Sequence, residues 1–149
     1  MEKVLVTGAS GYIAEHCIVE LLKNGYAVKG SLRNMSRESE VRTAIRKETQ
    51  DYNLEFCQLD LMSDDGWDDS MWDCDYLMHV ASPFTIDSPK DEDDLIRPAK
   101  EGTLRALNAA KKAGIKKVVL TSSTAAISSH MKRGTACLLY TSPSPRDSG

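Results

Sequence analysis

Residues 4–16, VLVTGASGYIAEH, decide the fold that this chain is predicted to adopt. A short apolar run is followed by small residues and then by a helical pattern. Gly8 permits a tight turn from strand to helix, Gly11 lets the backbone approach a pyrophosphate without a Cβ clash, and Ala14 lets the helix pack close to the strand. The stretch therefore predicts a βα unit of the kind that binds the phosphates of a dinucleotide.

The start of the predicted helix supplies the donors that such a site needs. The backbone amides of Tyr12 and Ile13 lie at its positive end, where the first N–H groups have no partner within the helix and attract anions. The residues predicted here to contact the dinucleotide are Gly8, Ser10, Gly11, Tyr12 and Ile13. The alternative is an ordinary turn that uses glycine for its geometry alone; strand, spacing and helix together favour dinucleotide binding.

Short apolar runs rich in β-branched residues alternate with helical patterns along the rest of the chain. This alternation is typical of βαβ units, so the sequence predicts an α/β fold, a Rossmann-type doubly wound parallel sheet that is truncated after its fifth strand. The predicted strands are residues 3–7, 27–32, 54–60, 75–81 and 116–122. The predicted helices are residues 12–24, 36–50, 64–72 and 91–113, with Pro98 starting or interrupting the last one.

The end of the second predicted strand indicates which dinucleotide is bound. NAD sites commonly place an acidic residue there, whereas NADP sites offer a cation to the 2′-phosphate. Residues 31–34 are Ser-Leu-Arg-Asn and include no carboxylate. Arg33 is predicted to grip the 2′-phosphate through its planar guanidinium, with Arg37 assisting, so NADP(H) is preferred over NAD(H). An exposed surface arginine is the alternative interpretation.

Length and composition exclude several classes of function. The 149 residues suffice for one domain with a core, and a net charge of -3 offers no basic surface to nucleic acid. No signal-peptide pattern follows Met1, and no apolar run approaches the roughly 20 residues of a membrane span, so a cytoplasmic location is expected. The four cysteines lack metal-like or CxxC spacing and are interpreted as small apolar residues in a reducing compartment.

Two further polar features are interpreted as structural. The acidic run at residues 64–69 is predicted to form the solvated face of a short helix, and no metal site is predicted. His79 lies on a predicted buried strand, just before the residues expected at its carboxyl end. It is interpreted as a core histidine that supports the site and not as a catalyst.

Several motifs resemble one known family. TGASGYIA, residues 7–14, resembles the cofactor loop of extended short-chain dehydrogenase/reductases. HVASPF, residues 79–84, resembles the fourth-strand end of the group that contains dihydroflavonol reductases, cinnamoyl-CoA reductases and bacterial aldehyde and ketone reductases. Residues 91–107 and 116–127 match the next helix and the fifth strand of that group. The resemblance covers the chain apart from its tail.

The resemblance implies roles for residues near the ends of later strands. Asp60 and Leu61 are similar to the pair that contacts the cofactor adenine in this family, and Ser123 matches its catalytic serine. The residues implied to line the nicotinamide half are Val80, Ala81, Ser82 and Thr121. Arg105 departs from the family pattern, because many relatives have asparagine there, and this puts one hydrogen bond of the helix in doubt.

The chemistry that the resemblance implies needs a tyrosine and a lysine. In this family a hydride attacks a carbonyl carbon, the tyrosine protonates the oxygen, a serine steadies it, and a lysine four residues after the tyrosine lowers the tyrosine pKa. None of the five tyrosines has a lysine at that spacing. The chain is therefore expected to be the N-terminal cofactor-binding part of an NADPH-dependent reductase of small-molecule ketones or aldehydes. By itself it is expected to be inactive and prone to aggregate.

Two alternatives stay open. One is a nucleotide-sugar epimerase or dehydratase of the same superfamily, which Arg33 and the HVASPF motif disfavour. The other is a non-catalytic NADP-binding sensor that naturally lacks the tyrosine and the lysine. The oligomeric state of the protein is not indicated by any motif.

The last residues of the chain are predicted to come from a different DNA source than the rest of the sequence. CLLYTSPSPRD, residues 137–147, can be encoded codon for codon by the transposase mosaic-end adapter of sequencing libraries. Residues 1–136 are therefore interpreted as an incomplete NADP-binding Rossmann domain and residues 137–149 as a non-native tail, in which Tyr140 has no catalytic role. A natural Ser/Pro-rich disordered tail is the alternative.

Overall fold

A single parallel sheet forms the centre of the structure, a computed structural model that describes residues 1–50, 52–83, 91 and 93–123. The strands are β1 Lys3–Val6, β2 Ala27–Leu32, β3 Leu54–Gln58, β4 Tyr76–His79 and β5 Lys117–Leu120. The α-helices are α1 Tyr12–Lys23, α2 Glu38–Arg46, α3 Trp67–Met71 and α4 Asp93–Ala113, and a 3-10 turn at Met35–Arg37 precedes α2. All pairings are parallel, so the predicted Rossmann-type α/β fold is confirmed.

The strand order determines where a ligand can bind. It is β3-β2-β1-β4-β5, so the chain adds β2 and β3 on one side of β1 and then crosses to add β4 and β5 on the other. The direction of winding therefore reverses between β1 and β4. In open α/β sheets, ligands bind outside the carboxyl ends of the strands at such a point.

Alternating side chains of β1 build a core on each face of the sheet. Val4 and Val6 are buried in one cluster with Ile18 of α1. Leu5 is buried in the opposite cluster with Ala106 of α4. Because side chains of a strand alternate between the two faces, three consecutive apolar residues serve both cores. This is why β1 lacks the polar positions of a half-exposed strand.

All the observed helices and strands except β2 are shorter than predicted. Every strand except β2 ends before its predicted end, and the predicted strands overrun by Thr7 and by residues 59–60, 80–81 and 121–122. Thr7, Leu59 and Thr121 still donate one backbone hydrogen bond each to the neighbouring strand, at 3.0, 3.0 and 3.1 Å. Helix α3 begins only at Trp67, because the preceding Gly66 adopts a left-handed φ of 78°.

Helix α4 continues through Pro98, which was predicted to start or interrupt it. A proline at this position removes one backbone donor, the one that would reach the carbonyl of residue 94. The helix nevertheless packs closely on the sheet, because its buried positions are small: Gly102, Ala106, Ala109 and Ala110. No helix among the described residues is both long and apolar enough to cross a membrane. The predicted tail, residues 137–149, and Phe84 of the HVASPF motif lie outside the described residues.

Candidate functional site

A cleft of about 890 Å³ opens at the carboxyl edge of the sheet, around the point where the strand order reverses. Segments that are far apart in sequence contribute its walls: the loop after β1, the ends of β2, β3 and β4, and the first turns of α4. The predicted cofactor contacts that line it are Gly8, Ser10, Gly11, Tyr12, Ile13, Arg33, Asp60, Leu61, Val80, Ala81 and Ser82. Residues predicted from separate motifs thus meet in one cleft.

The loop after β1 presents the start of α1 to the cleft. Gly8 has a left-handed φ of 74°, and its carbonyl accepts the Gly11 N–H at 2.9 Å, which closes a tight turn. Gly11 is the N-cap residue of α1, and no side chain among the described residues caps this end. The first amides of α1 and the positive end of its dipole therefore lie at the cleft without a side-chain cap, with Glu15 as the acidic residue of the first turn.

Residues of strand β2 fix the position of this loop. Ser31 binds it twice, because its Oγ accepts the Gly8 N–H at 3.2 Å and its carbonyl accepts the Ala9 N–H at 2.8 Å. Gly30 makes room for the loop, since a Cβ there would lie 2.9 Å from the Ala9 Cβ and 3.0 Å from the Phe56 ring. The signal for this approach was present in the sequence as an isolated glycine within a strand.

A buried hydrogen-bond network joins the end of β1 to the end of β4. The Thr7 hydroxyl accepts the N–H groups of Val80 and Ala81, each at 3.0 Å, and lies 3.0 Å from His79 Nδ1. Because both lone pairs of the hydroxyl are occupied, its single hydrogen donates to Nδ1. Burial lowers the pKa of His79, so the neutral ring that this network needs is favoured. His79 is thus a core histidine that supports the site, as interpreted from the sequence.

Arg33 and Arg37 differ in what their guanidinium groups contact. Arg37 is committed to Glu40, with Nε and Nη2 at 3.0 and 2.9 Å from its two carboxylate oxygens. Arg33 lines the cleft, is exposed, and has no salt-bridge partner within the described part of the chain. Its backbone is fixed by Gln58, whose Nε2 donates to the Arg33 carbonyl at 3.2 Å. The assisting role predicted for Arg37 would require breaking its pair with Glu40.

Thr121 and Ser123 follow β5 at the same edge of the sheet. The Thr121 N–H donates to the His79 carbonyl at 3.1 Å, which continues the pairing with β4 beyond the last residue of β5. Both side chains are exposed, and both lie outside the described lining of the cleft. Thr121 therefore differs from the other predicted cofactor contacts, and the catalytic candidate Ser123 lies farther along the same segment.

Two carboxylates of the acidic run, one in the loop before α3 and one in α3, form ion pairs with α4. Asp64 pairs with Arg105, and Asp68 lies 3.0 Å from the Nζ of Lys112. Within the residues that the structure describes, no group of three or more potential metal ligands comes together. These carboxylates therefore link the α3 region to α4.

Several residues that line the cleft were not predicted to contact a cofactor, among them Thr7, Ser31 and Trp67. Thr7 and Ser31 carried a detectable signal, because each is a polar residue at the carboxyl end of an apolar strand. Trp67 carried none: its burial, with 3% of its surface exposed, depends on the packing of α3 against α4.

Fold and cleft together define a class of protein. A parallel sheet whose first βα turn is a glycine loop, and whose cleft opens where the strand order reverses, is the arrangement of Rossmann-type nucleotide-binding proteins. Residues 4–146 match the NAD dependent epimerase/dehydratase family, and the chain belongs to that family. The matched range includes part of segment 137–149. The adapter origin predicted for that segment rests only on the match between its amino acids and the translated adapter.

Individual relatives are reductases of plants and yeast. The chain is 36% identical over 126 residues to tetraketide alpha-pyrone reductase 1 of Arabidopsis thaliana, covering 84% of this chain and 39% of that protein. It is 38% identical over 125 residues to cinnamoyl-CoA reductase CAD2 of Medicago truncatula, and the match covers 83% of this chain and 38% of that protein. The crystal structure of yeast methylglyoxal/isovaleraldehyde reductase Gre2 complexed with NADPH matches this structure with a TM-score of 0.74 and 33% sequence identity. The match covers 84% of this chain and 38% of that chain.

These similarities confirm the resemblance to the reductase group that the motifs indicated. The chain spans about two fifths of the length of these relatives.

Proposed function

We propose that the cleft binds a nicotinamide dinucleotide, with NADP(H) preferred over NAD(H), and that the chain is the cofactor-binding part of a carbonyl reductase. One observation carries the proposal: an uncapped helix start and the arginine Arg33, unpaired within the described residues, line the same cleft. Both features favour a ligand that carries several phosphates. The complex of the similar yeast reductase with NADPH supports a nicotinamide cofactor.

Different residues of the cleft suit different parts of such a cofactor. The first amides of α1 suit the pyrophosphate, and Arg33 suits the ribose 2′-phosphate at the end of β2. Asp60 and Leu61 are assigned to the adenine, by their resemblance to the family pair. Residues 80–82 are assigned to the nicotinamide half; Thr7 keeps their backbone beside the glycine loop through two hydrogen bonds.

When bound, NADPH supplies the hydride of a carbonyl reduction. Ser123 is proposed to donate a hydrogen bond to the carbonyl oxygen of a small-molecule ketone or aldehyde. A tyrosine alone is a weak acid at neutral pH, and the chain contains no Tyr-x-x-x-Lys pair to adjust one. We therefore expect the 149-residue chain alone to bind the cofactor without reducing carbonyl compounds. Oxidation of NADPH by the purified chain in the presence of a ketone would contradict this expectation.

A non-catalytic NADP-binding protein is the second candidate, because the same cleft would serve it equally well. The two candidates share the cofactor site and differ in the residues that the gene encodes after Ser123. A complete reading frame that encodes Tyr-x-x-x-Lys after Ser123 supports the reductase, and a complete frame without the pair supports the non-catalytic protein.

Calorimetric titration of the purified chain with NADPH and with NADH tests the cofactor assignment. Replacing Arg33 with alanine removes a charge-assisted hydrogen bond to the 2′-phosphate, a loss of about 1.5–3 kcal/mol or roughly tenfold to a hundredfold in NADPH affinity. NADH affinity is expected to stay unchanged. Arg37→Ala is the matched control, because Arg37 is an exposed arginine of the same segment that is already paired with Glu40. Equal losses for both cofactors in Arg33→Ala, or binding of neither cofactor by the unaltered chain, would contradict the assignment.

A further inference from the structure

Helix α4 grips the loop that follows β3. Arg105 donates from Nη1 to the Leu61 carbonyl at 2.8 Å, and its Nε pairs with Asp64 Oδ1. One planar guanidinium thus bridges two points of segment 60–64 that are three residues apart. The Arg105 side chain is only 20% exposed, whereas that of Asp64 is 87% exposed. The ion pair therefore joins a largely buried side chain of α4 to an exposed side chain of the loop.

Gly102, one turn before Arg105 on α4, sets the distance between helix and loop. A Cβ at Gly102 would lie 2.7 Å from Leu61 Cδ2 and 2.8 Å from Leu61 Cβ. Contacts this short do not occur between real side chains, so a larger residue would displace Leu61 or push the helix away. Gly102 lies inside α4 and is buried, which means that the need for glycine comes from space and not from backbone conformation.

Trp67 holds the other side of the same loop. Its Nε1 lies 3.2 Å from the Asp60 carbonyl and 3.0 Å from the Ser63 carbonyl. Within the loop, Asp60 Oδ1 accepts the Met62 N–H at 2.8 Å. The backbone of segment 60–64 is therefore fixed by Trp67 on one side and by Arg105 on the other, and Asp60 and Leu61 face the cleft between them.

We propose that Arg105, together with Gly102, is a positioning residue for the adenosine end of the dinucleotide. The inference rests on the proposed function, which assigns that end to Asp60 and Leu61. Arg105 lies outside the described lining of the cleft, so it acts through segment 60–64 and not by touching the ligand. Arg105 gives α4 both a hydrogen bond to the Leu61 carbonyl and an ion pair with Asp64.

A measurement without ligand tests whether Arg105 fixes segment 60–64. The chain has two tryptophans: Trp67 binds segment 60–64, and Trp72 is 84% exposed. In Arg105→Ala we expect the indole N–H signal of Trp67 to move in the ¹⁵N–¹H spectrum while the signal of Trp72 stays in place. Arg97→Ala is the matched control, because Arg97 also lies on α4 and pairs at 2.8 Å with Glu101, a carboxylate that Arg105 contacts as well at 3.4 Å. Segment 60–64 is not among the described partners of Arg97, so this control separates the contact with Glu101 from the contacts with the segment. An unmoved Trp67 signal in Arg105→Ala overturns the inference.

The functional test uses 2′,5′-ADP, which represents the adenosine end of NADP, in a calorimetric titration. Loss of one charged hydrogen bond to the loop is expected to weaken 2′,5′-ADP binding about tenfold in Arg105→Ala. Asp64→Ala removes the exposed anchor alone, without touching the core, and is expected to show a smaller loss in the same direction. Arg97→Ala is expected to bind as the unaltered chain does, and Arg105→Lys to regain part of the loss.

The results separate the two levels of the proposal. Normal binding by the unaltered chain together with normal binding by Arg105→Ala and Asp64→Ala contradicts the positioning role and leaves the proposed function intact. An equal loss in Arg97→Ala also contradicts it, because that loss would come from Glu101, which both arginines contact, or from α4 as a whole. Failure of the unaltered chain to bind 2′,5′-ADP contradicts the proposed function itself.

Discussion

Replacing Gly8 with alanine should damage both stability and cofactor binding, for two separable reasons. The first is the left-handed φ of 74°, which costs an L-residue with a Cβ about 1–2 kcal/mol. The second is space, because the new Cβ would lie 3.1 Å from both the Cα and the Cβ of Ala81. Relieving such an overpacked contact costs about 1–3 kcal/mol more. The combined loss in the free energy of unfolding is therefore about 2–5 kcal/mol.

Two other glycines serve as controls, because they share the positive φ of Gly8 but not its steric contact. Gly25 and Gly114 have similar positive φ values of 83° and 70°, and a Cβ at either one meets no described atom within 4 Å. Gly25→Ala and Gly114→Ala are thus expected to lose only the conformational part, about 1–2 kcal/mol. They differ from Gly8→Ala in the steric contact with Ala81 and in distance from the cleft.

The assays are urea unfolding for stability and calorimetric titration with NADPH for binding. In Gly8→Ala the contact with Ala81 is expected to separate the glycine loop from residues 80–82, so NADPH affinity falls beyond what the stability loss explains. Both controls are expected to keep the NADPH affinity of the unaltered chain. The reasoning is refuted if Gly8→Ala is no less stable than Gly25→Ala, or if it binds NADPH as tightly as the controls.

Two further predictions concern residues beneath the loop. Gly30→Ala should lower the free energy of unfolding in urea by about 1–3 kcal/mol, because its Cβ would meet Ala9 at 2.9 Å; unchanged stability would show that the loop can move away. For His79, burial lowers the pKa below its usual 6.5, so the unfolded chain takes up the proton first as the pH falls. Stability from this histidine is complete above about pH 6.5 and declines below it. Urea unfolding on both sides of that pH should show the decline in the unaltered chain and in His16→Gln but not in His79→Gln; an equal decline in His79→Gln would disprove the assignment.

The parts of the site that lie close together in sequence were predictable. Residues 4–16 carry the strand, the glycine turn and the helix start in one continuous stretch, so spacing alone indicated the phosphate loop. The position of Arg33 at the cleft was predictable in the same way, because it comes directly after the end of β2. The alternation of strands and helices indicated the parallel sheet. The ends of β3 and β4 were overrun because Leu59, Val80 and Ala81 continue the apolar pattern past the last strand residue.

Contacts that depend on strand register were not predictable from one sequence. Val6 pairs with Met78 in the sheet, which places Thr7 beside His79 although the two are 72 residues apart. The approach of Gly102 to Leu61 likewise depends on where α4 crosses the loop after β3. The pairing of Arg37 with Glu40 was local but ambiguous, since an exposed arginine can serve a carboxylate or a ligand phosphate equally well.

Binding of NADPH in this cleft is tested most directly by an NMR titration of the ¹⁵N-labelled chain. Saturable shifts are expected to be largest for the amides at the cleft, namely Gly8, Gly11, Tyr12, Ile13, Val80, Ala81 and Ser82. Amides of Gly25 and Gly114, which lie at the ends of α1 and α4 and outside the described lining, should not move. Absence of saturable shifts, or shifts confined to residues outside the cleft, would contradict the assignment of a dinucleotide site to this cleft.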